Sequence, residues 1–445
     1  MASLASDNDP ADDPSPADLI AARPNLRMHA MDGLTLDDVP LNRIADVVGT
    51  PTFVYSAGTI KGRYRALTGA LADAGLDAHA HYAVKANDHL AILALLGREG
   101  AGADIVSEGE LRRARHAGIP ASRIVFSGVG KSERELRLAL AEDIGQINVE
   151  SAEELAMLSG LASSLGRQAR VALRVNPDVD AGTHAKISTG RAQDKFGIPH
   201  ADAAGLYAHA ATLPGIVPIG LATHIGSQIL DLAPYRAAFA RIADLVRTLR
   251  EQGQRVEVVD CGGGLGIPYR NQPAPSPAGL AAAIKGAFHN LDVRLALEPG
   301  RWLVGPAGVL LASVILVKHA PGARFVVLDA AMNDLVRPAM YDAWHGIVPV
   351  SATDAVGPLS PADIVGPICE SGDTFARDRA LPPLAPNARV AILDAGAYGR
   401  VMSSTYNARP FAAEVLVDED RWTVIRDRPP HSALWEHERM PDSNT

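Results

Sequence analysis

Four short stretches carry residue types that suit one kind of chemistry. HYAVKAN (81–87) sets a lysine, Lys85, at the end of an apolar run, and THIGSQ (223–228) holds His224 and Ser227. DCGGGLG (260–266) holds Gly262, Gly263 and Gly264, and EPGR (298–301) holds Glu298, Pro299, Gly300 and Arg301. A lysine in a partly desolvated pocket has its neutral amine favoured and can form a Schiff base with an aldehyde. A glycine-rich loop lets backbone N–H groups approach a phosphate closely. A carboxylate at Glu298 can hold the proton of a pyridine nitrogen and strengthen an electron sink, while the His224 imidazole covers the ring face and Ser227 reaches phosphate. Together these meet the demands of pyridoxal phosphate. Each alone has a plainer reading: a lone lysine snorkels, and a GGG run makes a turn.

The elements that must position these residues follow from the rhythm of the chain. From about residue 58 to 301, short strand-like runs alternate with amphipathic helical segments, which implies parallel strands joined by helical crossovers. The strand candidates are HAHYAVK, ADIVS, RIVFSG, QINVE, RVALRV, GLATHIG, VEVVDCG and RLALEP, eight in all. Eight strand–helix units in roughly 250 residues match a (β/α)8 TIM-like barrel, with an open doubly wound sheet as the alternative. Barrel enzymes carry their working side chains at the carboxyl ends of the strands. Lys85, Arg174, His224, the glycine triplet and Glu298 fall at the ends of strands one, five, six, seven and eight.

After EPGR the pattern turns β-rich and is broken by Pro and Gly, which predicts a second, all-β domain of barrel or sandwich type. PTFVYS (51–56) and the residues before it are expected to join that domain. The expected organisation is a disordered segment at 1–25, a cofactor-binding barrel at 58–305, a discontinuous β domain at 26–57 plus 306–430, and a tail at 431–445. GVLLASVILV (308–317) is about half as long as a membrane span and reads as a buried strand. YRNQPAPSPAGL reads as a Pro-rich loop, and NPDVDAGTHAKISTGRAQDKFGI as a long irregular excursion after strand five.

The chain has 445 residues, with 42 basic against 51 acidic residues and a formal net charge of −9. That field opposes non-specific binding to nucleic acid or to an anionic membrane and favours a small-molecule partner. The two cysteines, Cys261 and Cys369, make no disulfide scaffold or metal knuckle, so a reducing cytoplasm is the expected compartment. His431 and His437 in the tail read as solvated residues rather than metal ligands.

The strings HYAVKAN, LRVNP, KFG, THIGSQ, DCGGGLG, EPGR, RPAMY, CESGD and DAGAYG, in that order from about residue 50 to 410, closely resemble the fold-type III, alanine-racemase-like pyridoxal phosphate decarboxylases, and among them the diaminopimelate decarboxylases. The resemblance implies that Lys85 bonds the cofactor, His224 stacks on its ring and Glu298 partners the pyridine nitrogen. It implies a phosphate-side group of Ser227, the glycines of GGGLG, Gly300 and Arg301, with Pro299 and Arg174 also at the cofactor. Arg301, Arg337, Tyr341 and Glu370 resemble substrate-binding residues, Tyr398 one that touches cofactor and substrate, and Cys369 the cysteine that protonates the intermediate. Asp104 and Glu110 match positions that support the lysine. In this family CESGD reaches the site of the partner subunit, which implies a homodimer.

The chemistry that follows is loss of CO2 from meso-2,6-diaminopimelate to give L-lysine. A diamino diacid carries a remote carboxylate and a remote ammonium, and a site must pair both. Arg301 and Arg337 suit the carboxylate and Glu370 the ammonium. The alternatives are a relative acting on ornithine, arginine or a carrier-bound amino acid, and a non-catalytic cofactor-binding protein on the same fold.

Overall fold

The computed structural model describes residues 13–181 and 195–441. The chain divides into two compact units, one made of Ile60–Ile267 and Pro273–Val304, the other of Met1–Thr59, Pro268–Gln272 and Gly305–Thr445.

The first unit is a closed barrel of eight parallel strands: β1 (Ala78–Ala83), β2 (Gly102–Ile105), β3 (Ile124–Phe126), β4 (Gln146–Val149), β5 (Ala169–Asn176), β6 (Ile216–Ala222), β7 (Val258–Asp260) and β8 (Arg294–Leu297). Pairing of Ile147 with Val171 joins β4 to β5, and pairing of Leu297 with Ala80 joins β8 to β1, so no edge is left open. The open-sheet alternative is thereby excluded. Serines fix where several crossover helices begin. Ser107, Ser132 and Ser151 each accept the backbone N–H three residues on, from Glu110, Glu135 and Glu154. Those hydroxyls satisfy amides that the first helical turn leaves without partners.

Two crossover helices are weakly marked in the sequence. His200–Ala210 has low amphipathicity, and Pro277–Phe288 starts inside the segment expected to be a Pro-rich loop. The second starts there because Ser276 caps it and Pro277 occupies its first position, where a missing N–H costs nothing. In the excursion after β5, residues 182–194 lie outside the described residues. Past them, Ile198–Pro199 lies parallel to the end of β5.

Barrel interiors are usually filled by layers of Val, Ile and Leu. This one buries Asp104, Gln146, Asn148 and Asp260 from β2, β4 and β7 instead. Gly102 and Gly220 keep adjacent chains close, since a Cβ at Gly220 would lie 2.0 Å from the Val258 carbonyl oxygen.

The second unit is rich in sheet. Its main sheet orders Thr374–Leu381, Ser360–Val365, Ala323–Leu328, Gly308–Ala320, Thr52–Ser56, Ala413–Asp418 and Arg421–Arg426, and Arg389–Ile392 links Ile347–Pro349 to it. Its core packs Leu34, Leu36, Leu41 and Ile44 against Val54, Leu311, Val348, Leu393 and Val415. The unit also holds helices, Pro16–Ala21, Leu41–Val48 and Arg337–Tyr341, so it is not purely β. The strand Gly308–Ala320 is buried only in its first half, and Ile315 and Leu316 are 46% and 44% exposed.

Residues 13–25 depart from the expected disorder. Ser15 and Asp18 form a capping box for Pro16–Ala21, Leu19 is buried, and Arg23 makes a buried ion pair with Asp394 at 2.5 Å. Composition marks this segment as acidic and Pro-rich, but a buried leucine and one paired arginine suffice to order it.

Candidate active site

Lys85 does not sit in a strand. β1 ends at Ala83, and Val84–Ala86 form a single 3-10 turn held by the Asn87 N–H to the Val84 carbonyl. The Tyr82 hydroxyl donates to the Asn87 carbonyl at 2.9 Å and fixes the turn from below. The Lys85 side chain is 36% exposed, and its Nζ lies 3.2 Å from Oδ2 of the fully buried Asp104. The amine is therefore paired rather than desolvated in an apolar pocket. Glu110 takes the Val106 N–H at 2.7 Å, and burial pushes its carboxyl up to about 7.

Glu298, one residue past β8, anchors the far side. Its Oε1 accepts from the Ser127 hydroxyl and from Asn148 Nδ2, each at 3.2 Å. Burial, with Asp104 and Asp260 nearby, drives its carboxyl well above the usual range. Lys85 and Arg174 oppose that rise. Arg174, within β5, donates to Glu150 at 2.7 Å and stacks 5.0 Å from the Phe196 ring centroid, while Glu150 also takes the Gly197 N–H at 3.0 Å. The LRVNP and KFG strings thus meet at Glu150.

The loops after β6, β7 and β8 interlock through glycine. A Cβ at Gly262 would lie 2.3 Å from the Thr223 carbonyl oxygen, at Gly263 2.1 Å from that of Glu298, and at Gly264 2.3 Å from that of Gly226. Two of the three amides already have acceptors within the protein: Gly262 donates to Asp260 at 3.0 Å and Gly263 to His224 Nδ1 at 3.1 Å. An Nδ1 that accepts leaves the proton on Nε2, so His224 is a neutral imidazole of fixed tautomer. Burial beside Arg174 and Lys85 pushes its pKa down, in agreement. The Arg301 guanidinium donates to Ser227 at 3.1 Å, and Gly300 packs against Ala83 and Ala86. The Pro299 carbonyl accepts the Ala83 N–H, which carries the β8–β1 ladder past Glu298. Gln228 ties the two loops with a pair of bonds to the Ile267 backbone.

The remaining predicted residues lie on the sheet-rich unit. Arg337 is buried, donates to His345 Nε2 at 2.6 Å and stacks 5.0 Å from the Tyr269 ring centroid. His345 Nδ1–H donates in turn to the Leu393 carbonyl at 2.7 Å. Tyr341 closes the short helix that Arg337 begins. Tyr398 sits at φ +56°, a left-handed conformation that costs energy for a bulky side chain and recurs at functional sites. Cys369 and Glu370 are exposed, the first carrying a free thiol and the second near enough to Tyr406 to raise the pKa of its hydroxyl. Asp373 shapes this turn by accepting the Met332 and Ile368 N–H groups at 2.7 and 2.8 Å.

Sequence reasoning missed Ser127, Asn148, Glu150, Asp260, Gln228, His345 and Asp373. The available signal was polar type at positions that strand alternation sends inward, as for Asn148 and Asp260.

The barrel residues suit pyridoxal phosphate. Glu298 is a buried carboxyl whose hydrogen-bond donors are neutral, a setting that a cationic ring nitrogen completes. Asp104 Oδ1, buried and without a hydrogen-bond partner, leaves further acceptor capacity at the lysine. Among the described residues, no three His, Cys, Asp or Glu side chains gather as a metal-binding group.

Comparison with known proteins agrees. The profile described as pyridoxal-dependent decarboxylase, pyridoxal binding domain, matches residues 57–305. The diaminopimelate decarboxylase of Zymomonas mobilis is 49% identical over 404 residues, covering 89% of this chain and 94% of that protein. That of Aquifex aeolicus is 45% identical over 396 residues, covering 89% and 93%. The crystal structure of diaminopimelate decarboxylase from Helicobacter pylori complexed with L-lysine superposes with a TM-score of 0.86 at 40% identity, over 89% of this chain and 98% of that one. Identity at this level across both units, on a closed barrel with Lys85, His224 and Glu298 at its carboxyl end, means that the chain belongs to the pyridoxal-dependent decarboxylases, in the group of the diaminopimelate decarboxylases.

Proposed function

We propose that this chain decarboxylates meso-2,6-diaminopimelate at its D-configured carbon to give L-lysine and CO2, the last step of lysine biosynthesis by the diaminopimelate route. One observation carries the substrate assignment: relatives 42–49% identical over about nine-tenths of the chain bear that activity in their names. A cytoplasmic location is part of the same proposal; separately, no helix among the described residues is long and apolar enough to cross a membrane.

When bound, pyridoxal phosphate supplies an aldehyde for the substrate amine and an electron-poor ring that takes up the electron pair left by departing CO2. Lys85 would be the residue that holds the cofactor covalently. Glu298 would partner the ring nitrogen and favour its protonated form, and the neutral His224 would lie against the ring without adding a positive charge. Ser227, with Arg301 bound to it, and the Gly264 amide would hold the phosphate. Two arginines, Arg301 and Arg337, suit the carboxylates of a diacid, and Glu370 suits the remote ammonium. Cys369 returns a proton to the reacting carbon. The exposure of Cys369 and Glu370 on an isolated chain supports a homodimer in which this turn completes the partner's site.

A substrate panel with product identification tests the reading. Release of lysine and CO2 from diaminopimelate should exceed turnover of ornithine, lysine and arginine by at least about a hundredfold, since those substrates leave a carboxylate-binding arginine unpaired. Preference for a monocarboxylate would replace the assignment. Cofactor bound without CO2 release from any of the four would favour the non-catalytic alternative.

A further inference from the structure

Glu298 must be anionic to hold a protonated ring nitrogen, yet it is buried among acids. Asp104 and Asp260 are its electrostatic neighbours, and Asn148 Nδ2, 3.2 Å from Glu298 Oε1 and 3.4 Å from Asp260 Oδ2, sets Asp260 beside it. Two carboxylates at that range do not both ionise. The surroundings show how one proton can be accommodated. Asp260 Oδ1 accepts the Gly262 N–H at 3.0 Å, while Oδ2 is held loosely, 3.4 Å from Asn148 Nδ2 and 3.4 Å from Gln146 Nε2. Glu298 Oε1 has two shorter donors. Asn148 Nδ2 spans both carboxyls, so the pair is bridged as well as adjacent.

On its other side Asp260 faces the floor of the barrel. His81 is its neighbour there, donates from Nδ1 to the Arg123 carbonyl at 3.1 Å, and burial pushes its pKa down. A cavity of about 250 Å³ lined by His79, His81, Arg123, Gln146 and Arg294 opens below. The titratable and charged groups facing the pair are thus Asp104, Lys85 and Arg174 above and His81 below.

Resting on the cofactor reading above, we propose that Asp260 is a positioning residue: it takes over the proton shared with Glu298 when a cationic ring nitrogen docks there, leaving Glu298 ionised and the proton inside the protein. The O–H bond at Glu298 breaks and one forms at Asp260 Oδ2, with no net exchange with solvent. In Asp260→Asn, burial and Asp104 still keep Glu298 protonated before the cofactor docks, and with no second carboxyl to receive it the same proton must leave the protein.

Calorimetric binding of pyridoxal phosphate to the apoenzyme, in buffers of different ionisation enthalpy, counts protons released. Asp260→Asn keeps an acceptor for the Gly262 amide and should release about one more proton per cofactor than wild type near neutral pH. In the Glu298→Gln background, Asp260→Asn should change the count by about zero. Equal counts for wild type and Asp260→Asn overturn the inference while the cofactor reading stands, as does a change that persists without Glu298. No binding by wild type defeats both. If Asp260→Asn does not load, carboxyl carbon NMR of the apoenzyme decides: a protonated carboxyl near neutral pH that disappears in Glu298→Gln upholds the shared proton, and its absence from wild type overturns it.

Discussion

At the scale of single residues, the environment of Lys85 sets two expectations. Lys85→Ala should remove the visible absorbance of the covalently held cofactor and lower turnover by at least about a thousandfold; a retained covalent band in the variant would place the attachment elsewhere. The second concerns Glu110. An ordinary glutamic acid titrates near about 4.3, and burial pushes Glu110 up to about 7, so the folded protein binds this proton more tightly than the unfolded chain does. Its stabilising contribution is full below the unfolded value and is lost as pH rises through the folded one. Glu110→Gln keeps an acceptor for the Val106 N–H and escapes that loss. Its unfolding free energy relative to wild type should rise by on the order of 2 kcal/mol between about pH 4 and 8, a figure reduced for partial exposure. A flat difference in urea melts across that range would show an ordinary carboxylate. Lys85, His224 and Glu298 were legible because motif and strand end coincide. Asp260 and Asn148 were not, since an acid or amide in a short apolar run looks like noise until closure turns it inward.

At the scale of elements, the loop glycines carry the most exact demand. Gly264 combines φ +97° with a Cβ position 2.3 Å from a backbone oxygen, whereas Gly253 has φ +78° in open space. Gly264→Ala should cost about 3 kcal/mol or more and weaken cofactor retention, while Gly253→Ala should cost roughly 1 kcal/mol from backbone strain alone. Equal penalties, measured by urea unfolding of the two apoproteins, would show that close packing of the three loops is not the cause. The eight strands and the helices that follow most of them could be read because apolar spacing switches between the strand and helix periods. His200–Ala210 and Pro277–Phe288 were obscured by alanine, which suits a helix without marking a face.

At the scale of the whole molecule, the barrel was countable from its repeating rhythm, whereas the sheet-rich unit joins distant segments that no local pattern links. Arg23 shows the difference. It bonds Asp394, the Leu19 and Tyr269 carbonyls and Asn271, and so ties together three stretches of one unit. Arg23→Ala leaves Asp394 buried and uncompensated, and should cost about 3–5 kcal/mol. Arg27→Ala breaks an exposed contact of 3.8 Å to Asp38 and should cost less than about 0.5 kcal/mol. Denaturant melts that found the two alike would mean the Arg23 pair is solvated in solution.

The strand Thr52–Ser56 has a further consequence. One neighbour in its sheet is Gly308–Ala320 and the other is Ala413–Asp418. On a ribosome adding roughly 5–20 residues per second, the emerging chain waits on the order of 10–50 s for the first neighbour and still longer for the second. During that interval the barrel segments are made and can close, while TFVYS is exposed with both edges unpaired. Vectorial synthesis thus gives this protein a window in which its early strand needs shielding from self-association, and a refolding chain released whole from denaturant has no such window. Aggregation should therefore depend more on translation speed between residues 56 and 308 than on the stability of the finished fold.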